Sequence, residues 1–157
     1  MQYRDIGILM GHLTKVLSHF NHPGGHRIFE WDIQNVDIIH SNIKFVEGEK
    51  RKNILYHHLN NVNNKRLPPF KNLRKSIIHN DGNDHNIILN KDGSLKGIID
   101  FGDIIHSFTV LEAAVCMAYI GQKNKKPLES MKIFLKGYHA IFPLYEEEIF
   151  WLGQMIC

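Results

Sequence analysis

The spacing of apolar residues predicts helices toward both ends of the chain. Near the N-terminus, apolar side chains recur at the interval of one helical face: Ile6, Leu9, Leu13, Val16, Leu17 and Phe20. The run HPGG at residues 22–25 predicts the end of that helix. A second helix is predicted over residues 50–62, and Pro68 and Pro69 end that region. Its inner face is expected to carry Ile54, Leu55, His58, Leu59 and Val62.

The pattern changes in the middle of the chain. SIIHND is a short apolar run that enters a polar loop, and NIILN and LKGIID are β-rich runs separated by the turn signal KDGS. After Gly102 the helical period returns, over residues 110–120, 127–142 and 143–156. Pro143 suits the first position of the last helix, whose first turn carries Glu146, Glu147 and Glu148. One α+β domain over residues 1–157, mostly helical with a small hairpin, is expected.

Composition excludes several classes of protein. The 43% of apolar and 22% of charged residues are ordinary for a globular domain of 157 residues. No apolar run reaches the roughly 18 residues that span a bilayer, and no signal-peptide pattern opens the chain, so no membrane partner is expected. Two cysteines give neither a disulfide framework nor a metal pair, which favours a cytoplasmic location. A net charge of +3, with scattered Lys and Arg, argues against a nucleic-acid partner.

The densest polar cluster is HNDGNDHN at residues 79–86, which lies between two apolar runs and is expected to be a loop held by strands. Asp100 follows Asn86 by 14 residues and opens the run DFGD. If the hairpin turn is centred on Gly93, Asn86 and Asp100 face each other across an antiparallel pair, with Cβ atoms about 5 Å apart. An amide oxygen and a carboxylate would then point to one place.

These two oxygen donors suit a Mg²⁺ ion that is held partly by substrate phosphates. Asp81 lies five residues before Asn86, in the loop that leads to the same end of the hairpin, and could accept the proton of an attacking hydroxyl. A metal, a positioned nucleophile and a base are the requirements of phosphoryl transfer. Two alternatives stay open: turns built from Asp, Asn and Gly without chemistry, or a transition-metal site of His79 and His85 with Asp81 or Asp84.

The motif H-x-D-x-x-x-x-N at residues 79–86, followed by I-D-F-G at residues 99–102, resembles the catalytic loop and metal-binding segment of the protein-kinase-like superfamily. The match is closer to the aminoglycoside phosphotransferase and choline kinase branch, where the loop usually begins H-G-D; here Asn80 replaces the glycine. FNHPGGHRIFEWDIQNV, GIIDFGDIIHSFTVLEAA and GYHAIFPL further resemble the hydroxylysine kinases and related phosphotransferase domains fused to class-III aminotransferases. The similarity runs from about Asp5 to Leu152.

The resemblance implies a role for each motif residue. Asp81 matches the catalytic Asp that orients and deprotonates the acceptor hydroxyl, and Asn86 and Asp100 match the residues that bind the metal of the metal–nucleotide cofactor. Structural support is expected from His79, Phe101 and Gly102. The implied cofactor is Mg²⁺, with ATP or GTP as co-substrate.

In this superfamily, a smaller N-terminal lobe carries a phosphate-covering loop, a lysine that binds the phosphates and a glutamate that positions the lysine. None of these is found ahead of Asp81, where the pattern is helical. The expected architecture is therefore the C-terminal lobe of a protein-kinase-like fold, with the N-terminal lobe absent, so that the chain is a fragment or needs a partner.

The function that the resemblance implies is transfer of the γ-phosphate to a hydroxyl of a small amino-bearing metabolite, with hydroxylysine the favoured acceptor. A non-catalytic remnant serving as an interaction module stays open, as does an aminoglycoside, homoserine or choline kinase. For Asp103 a structural role is favoured, and Glu112 is expected to have a cationic or hydrogen-bonding partner. Trp31 is expected in the core, and the role of the pair Trp31–Asp32 does not follow from the sequence.

Overall fold

The computed structural model describes residues 3–63 and 72–156 and divides the chain into two compact units. The first unit comprises Met1–Arg27 and Leu73–Cys157, and the second Ile28–Asn72. In chain order the elements are α1 (Tyr3–Leu17), α2 (Val36–Asn42), α3 (Glu49–Asn63), β1 (Lys75–Ile78), β2 (Ile87–Leu89), β3 (Leu95–Ile98), β4 (Ile105–Phe108), α4 (Leu111–Lys123), α5 (Pro127–Ile141) and α6 (Glu146–Met155). The mixed α+β composition is confirmed, whereas one domain over residues 1–157 stays a prediction.

Two short antiparallel ribbons occupy the first unit. One pairs β2 with β3, which confirms the predicted hairpin, and the other pairs β1 with β4. Strand β4 was not predicted, because helical periodicity was expected to return directly after Gly102. Its pairing partner, β1, lies on the other side of the whole hairpin, so no local turn signal marks the two strands as a pair.

The register of the hairpin differs from the prediction. The amide of Ile99 donates to the carbonyl of Asn86 at 3.0 Å, so Asn86 lies opposite Ile99 and not opposite Asp100. The turn closes through a hydrogen bond from the amide of Gly93 to the carbonyl of Asn90 at 2.9 Å, and Gly93 has a φ of +81°. Glycine therefore occupies the last position of the turn, where a left-handed residue is needed, and not its centre. An irregularity in β2 then shifts the pairing by a further residue.

Helix α1 packs against α5 through small residues. Its buried positions are Ile6, Gly7, Met10, Gly11, Thr14 and Leu17. The predicted apolar face is therefore wrong in part, since Val16 and Phe20 are exposed. A Cβ atom at Gly7 would overlap the carbonyl oxygen of Phe134, and one at Gly137 would overlap that of Arg4. The two backbones approach where side chains are absent, which a count of apolar residues cannot detect.

The C-terminal helices agree with the predictions except at the start of α6. Tyr145 caps α6, and its amide donates to the side chain of Glu148 at 2.8 Å. Pro143 is therefore not the first helical residue; its carbonyl accepts a hydrogen bond from Arg74 at 2.7 Å. Glu148 is only 1% exposed and pairs with Arg74 through Nε and Oε1 at 2.8 Å. Besides charging the first turn as predicted, Glu148 thus joins α6 to the residue before β1.

The second unit matches the sequence less closely. The HPGG break before it is confirmed as a 3₁₀ turn, Pro23–Gly25, and the helix predicted over residues 50–62 is confirmed as α3. Ile54 and Trp31, however, are 51% and 71% exposed, so placing them on an inner face and in the core was wrong. The side chains of His58 and Val62, and all of Pro68 and Pro69, lie outside the described residues.

The core of the first unit is built mainly from Met10, Ile77, Ile78, Val110, Leu111, Phe134, Tyr138 and Trp151. The hydroxyl of buried Tyr138 donates to Thr14 at 2.9 Å, and Thr14 in turn donates to the carbonyl of Met10 at 2.8 Å. These bonds satisfy polar groups inside the α1–α5 contact. Across residues 3–63 and 72–156, the structure contains no helix with the length and apolar character to cross a bilayer.

Gly7→Ala is expected to lower the free energy of unfolding by about 1–3 kcal/mol, because the added methyl group would meet the carbonyl of Phe134. Gly153→Ala is the matched control, since Gly153 is also helical and nothing lies within 4 Å of an added Cβ atom. The control should stabilise the chain by up to about 1 kcal/mol through helix propensity. Urea unfolding followed by circular dichroism measures both. Equal effects from the two variants would contradict the close α1–α5 contact.

Candidate active site

Side-chain amides organise the loop between β1 and β2. Asn83 accepts hydrogen bonds through Oδ1 from the amides of His85 at 2.8 Å and Asn86 at 3.2 Å. Its Nδ2 donates to Oδ1 of Asp81 at 2.8 Å. The Nδ2 of Asn86 donates to Oδ2 of Asp81 at 2.8 Å and to the Asp81 carbonyl at 2.9 Å. Both carboxylate oxygens of Asp81 are thus held by amide donors, which fixes the direction of the group.

Two positions allow this loop to turn tightly against α4. Asn80 has a φ of +66°, in the left-handed region that glycine and asparagine adopt most readily. Asn80 therefore fits where the loop of the resembling families usually has glycine. Gly82 packs directly on α4, since a Cβ atom there would overlap the thiol of Cys116. Cys116 is buried, and burial raises the pKa of its thiol well above the ordinary value.

His79 connects this loop to the segment after β3. Its ring is fully buried, Nε2 lies 3.0 Å from the carbonyl of Ile99, and Nδ1 accepts a hydrogen bond from the amide of Asp81 at 3.3 Å. Burial lowers the pKa of His79, although the Ile99 carbonyl and the nearby carboxylates oppose that shift. The imidazole is therefore neutral with its proton on Nε2, because only that tautomer satisfies both contacts.

The segment after β3 is a 3₁₀ turn, Phe101–Asp103, capped by Asp100. Asp100 has a φ of +64°, and its Oδ1 accepts a hydrogen bond from the amide of Gly102 at 3.2 Å. The ring of Phe101 meets that of His79 edge-on, with centroids 4.7 Å apart, and its other side is exposed. Asp100 is thus turned out of the strand, with Oδ1 used to cap the turn.

The carboxylates of Asp81 in the loop and of Asp100 before the turn both affect Asp103. Burial raises the pKa of Asp103, and the charges of Asp81 and Asp100 raise it further. Asn86 directly precedes β2, and Asp100 lies two residues after β3, so both are at the open end of the hairpin. The structure therefore brings the sequence-predicted residues to one end of the hairpin, by a different register from the one expected.

The donor atoms at this end suit a hard divalent cation. The Nδ2 of Asn86 donates to Asp81, so a cation could bind to Oδ1 of Asn86 and to a carboxylate oxygen of Asp100. Within the described parts of the chain, no three His, Cys, Asp or Glu residues cluster as a metal site. The hypothesis of a transition-metal site at His79 and His85 is therefore unsupported, whereas two oxygen ligands fit an ion that takes its remaining ligands from phosphate and water.

Glu112 in α4 lies beneath the loop and is fully buried. Its Oε2 accepts a hydrogen bond from the amide of His79 at 2.6 Å, and no partner for Oε1 is found among residues 3–63 and 72–156. Burial raises the pKa of Glu112 to about 7, and the amides of His79 and Asn80 oppose that rise. The predicted partner of Glu112 is therefore found in the loop backbone, as a hydrogen-bond donor and not as a cation.

Three contributors to the site were not predicted as such. Asn83 holds Asp81, Glu112 holds His79, and Arg27 donates to the carbonyl of Gly102 at 2.6 Å. The spacing D-x-N of Asp81 and Asn83 is a local signal for a side-chain-capped turn and could have identified Asn83. Arg27 lies 75 residues before its partner, so no local pattern marks it.

Glu112→Gln is expected to reduce the pH dependence of stability between pH 5 and 8. In the folded chain the pKa of Glu112 is near 7, above the ordinary 4.5, so the folded state binds more protons and its stability falls as pH rises through this window. The loss amounts to about 3 kcal/mol at 1.36 kcal/mol per pKa unit. Urea unfolding of wild type and variant at pH 5 and pH 8 measures it.

Glu146→Gln is the control for Glu112→Gln, because Glu146 is exposed in the first turn of α6. It should leave the pH dependence unchanged. Parallel pH profiles for wild type and Glu112→Gln would show that Glu112 does not titrate in this range, contrary to its burial.

The chain is similar to known phosphotransferases in sequence and to known kinases in fold. The model of the phosphotransferase enzyme family APH matches residues 30–147. Hydroxylysine kinase of Mus musculus is 28% identical over 168 residues, which cover 99% of this chain and 45% of that protein. Two solved structures share the fold: a microcompartment-associated aminopropanol kinase, with a TM-score of 0.76 and 17% identity, and amicoumacin kinase in complex with AMP-PNP, Ca²⁺ and Ami, with a TM-score of 0.68 and 14% identity.

The two alignments with solved structures each cover 99% of this chain, and 50% and 47% of the aminopropanol and amicoumacin kinases. The chain therefore spans about half the length of the relatives that it matches. The family match takes in the whole catalytic-loop motif and the DFGD run, which confirms the resemblance drawn from those residues. Since residues 30–147 amount to well over half of the sequence, the chain belongs to the phosphotransferase enzyme family.

Proposed function

We propose that this chain supplies the catalytic-loop half of a kinase that transfers the γ-phosphate of ATP or GTP to a hydroxyl of a small amino-bearing metabolite. The observation that carries the proposal is the pair of hydrogen bonds that hold the Asp81 carboxylate, from Asn83 and Asn86 at 2.8 Å each. They aim a base at the open end of the hairpin, beside the oxygens of Asn86 and Asp100. The family supports transfer of a phosphoryl group.

Asp81 is proposed as the catalytic base. An ionised carboxylate has about four acceptor sites, so two amide donors leave room for an acceptor hydroxyl. Asp81 would orient that hydroxyl and take its proton as the oxygen attacks the γ-phosphate. Asn83 and Asn86 keep the carboxylate in place during this step, so little reorganisation is required.

Asn86 and Asp100 are proposed as the metal ligands, through Oδ1 of the amide and Oδ2 of the carboxylate. A bound Mg²⁺ would neutralise charge on the nucleotide phosphates. His79, Phe101 and Gly102 are proposed as structural support, since they join the loop of Asp81 to the turn of Asp100. The AMP-PNP and Ca²⁺ in the amicoumacin kinase complex support a nucleotide and a divalent cation in general.

The acceptor is proposed to be hydroxylysine, because a hydroxylysine kinase aligns with 99% of the chain. Hydroxylysine and aminopropanol, the compounds that name two of the similar kinases, each carry an amine and a hydroxyl. We further propose that the chain corresponds to the C-terminal lobe of the kinase fold and acts with an N-terminal lobe, since it matches only about half of each relative.

A phosphate-transfer assay of the full-length gene product tests the acceptor. Hydroxylysine, homoserine, choline and an aminoglycoside are compared with ATP and with GTP, and kcat/KM is expected to be highest for hydroxylysine. A higher value for another acceptor would reject hydroxylysine and keep the kinase. Absence of transfer to all four, with both nucleotides, would favour a non-catalytic interaction module.

Asp81→Asn in the active protein is expected to lower kcat by about 10²–10⁴-fold, because an amide cannot accept the hydroxyl proton. Binding of the metal–nucleotide complex should weaken far less than kcat, since Asn86 and Asp100 keep their side chains and Nδ2 of Asn86 keeps its bond to the backbone carbonyl at position 81. Isothermal titration calorimetry measures that binding beside the turnover assay. Asp92→Asn, at the exposed tip of the hairpin, is the control and should retain turnover. Equal loss of binding and turnover in Asp81→Asn would contradict the assigned role.

A further inference from the structure

The segment that follows α1 lies against the turn that carries Asp100. We name Gly25, His26 and Arg27 the latch segment, because each of the three residues makes a separate contact with the β1–β4 ribbon or with the turn before it. All of these contacts lie within the first unit of the chain. The catalytic-loop and DFGD motifs include none of the three residues.

Gly25 and His26 hold the latch segment on the ribbon. Gly25 is buried, and a Cβ atom there would overlap the side chain of Ile77 and lie 3.8 Å from the amide of His106. The His26 ring stacks on that of His106, with centroids 4.3 Å apart, and its Nε2 lies 2.7 Å from Oδ1 of Asn21. The packing of Gly25 and His26 therefore fixes the backbone just before Arg27, from which the Arg27 side chain extends.

Arg27 contacts the backbone on both sides of Asp103, at the turn Phe101–Asp103. Its Nη2 donates to the carbonyl of Gly102 at 2.6 Å and approaches that of Ile104 at 3.4 Å, on either side of Asp103. The amide of the same Gly102 donates to the carboxylate of Asp100. Burial and neighbouring carboxylates raise the pKa of Asp103, and the charge of Arg27 opposes them. Arg27 thus binds backbone carbonyls at the turn and also lowers the pKa of Asp103 through its positive charge.

Contacts on both sides support the conformation of Asp100. Its φ of +64° lies in the left-handed region, which aspartate adopts only occasionally and as a single residue. A conformation of this kind persists where the surroundings hold it. The capping bond that the amide of Gly102 donates to Oδ1 of Asp100 holds one side of the turn, and Arg27 holds the other.

We infer that Arg27 is a positioning residue, which fixes the turn Phe101–Asp103 and thereby keeps the Asp100 carboxylate in the orientation that binds the metal. The inference rests on the proposed function for the metal, but the contact between Arg27 and the turn does not. Both contacts come from Nη2, so arginine suits the position through its charge and through its reach, which is one bond longer than that of the lysine ammonium.

Amide hydrogen exchange of the chain, detected by NMR, tests the contact without nucleotide or turnover. In Arg27→Gln, hydrogen exchange of the Gly102 and Ile104 amides should accelerate on the order of tenfold. The reason is that the turn loses a charge-assisted hydrogen bond to its carbonyls and opens more often. Exchange in β2, β3 and α5 should not change. Arg4→Gln, an exposed arginine of α1, is the matched control and should behave as wild type. Unchanged exchange at both amides in Arg27→Gln would overturn the inference.

The Mg²⁺ dependence of phosphoryl transfer by the full-length protein tests the positioning role. Arg27→Gln should raise the Mg²⁺ concentration for half-maximal rate on the order of tenfold while leaving the KM of the acceptor unchanged. Arg27→Lys should restore only part of the loss, because it keeps the charge but its side chain is one bond too short to place a donor where Nη2 lies. Full restoration by lysine, or equal changes in the Mg²⁺ requirement and acceptor KM, would overturn the inference.

Failure of the inference and failure of the proposed function give different results. A wild-type protein that transfers no phosphate to any acceptor would contradict the proposed function, and the exchange experiment would then decide the contact alone. An active wild type whose Mg²⁺ requirement is the same in Arg27→Gln would keep the proposed function and overturn the positioning role.

Discussion

A single neutral imidazole joins the two halves of the candidate site. His79 accepts a hydrogen bond from the amide of Asp81 on one ring nitrogen and donates to the carbonyl of Ile99 on the other. A second proton on the ring would remove the acceptor, and burial opposes that proton by lowering the pKa of His79. Glu112 holds the backbone of the same residue from below. The ring of His79 and the buried carboxyl group of Glu112 thus link the bonds that hold Asp81 to those that hold Asp100.

The structural features that were predicted correctly from the sequence are those that depend on residues close together along the chain. The hairpin, five of the six helices in the described residues and the HPGG break follow from local periodicity and turn residues, and the structure confirms them. Strand β4, the inner face of α1 and the role of Arg27 depend on distant partners. In α1 the closest contact is made by Gly7, which has no side chain to contribute to an apolar pattern.

The site itself shows the same division. The sequence predicted that Asp81, Asn86 and Asp100 belong together, and the structure brings them to one end of the hairpin. The predicted register, which pairs Asn86 with Asp100 across two strands, is wrong because Asn86 lies opposite Ile99. Both residues lie just outside the strands, where hydrogen bonds and a left-handed backbone, rather than the alternation of the sheet, set the direction of a side chain. Apart from the local D-x-N signal of Asp81 and Asn83, spacing along the chain does not reveal such bonds.

The contact between Gly82 and Cys116 makes the thiol a natural reporter on the catalytic loop. With the loop closed, Cys116 is buried under Gly82 and its thiol stays protonated, so alkylating reagents should react slowly. Any opening that lifts Gly82 from α4 uncovers the sulfur. The rate of alkylation at Cys116, followed by mass spectrometry, would then report how often the loop opens, and no cysteine would have to be introduced.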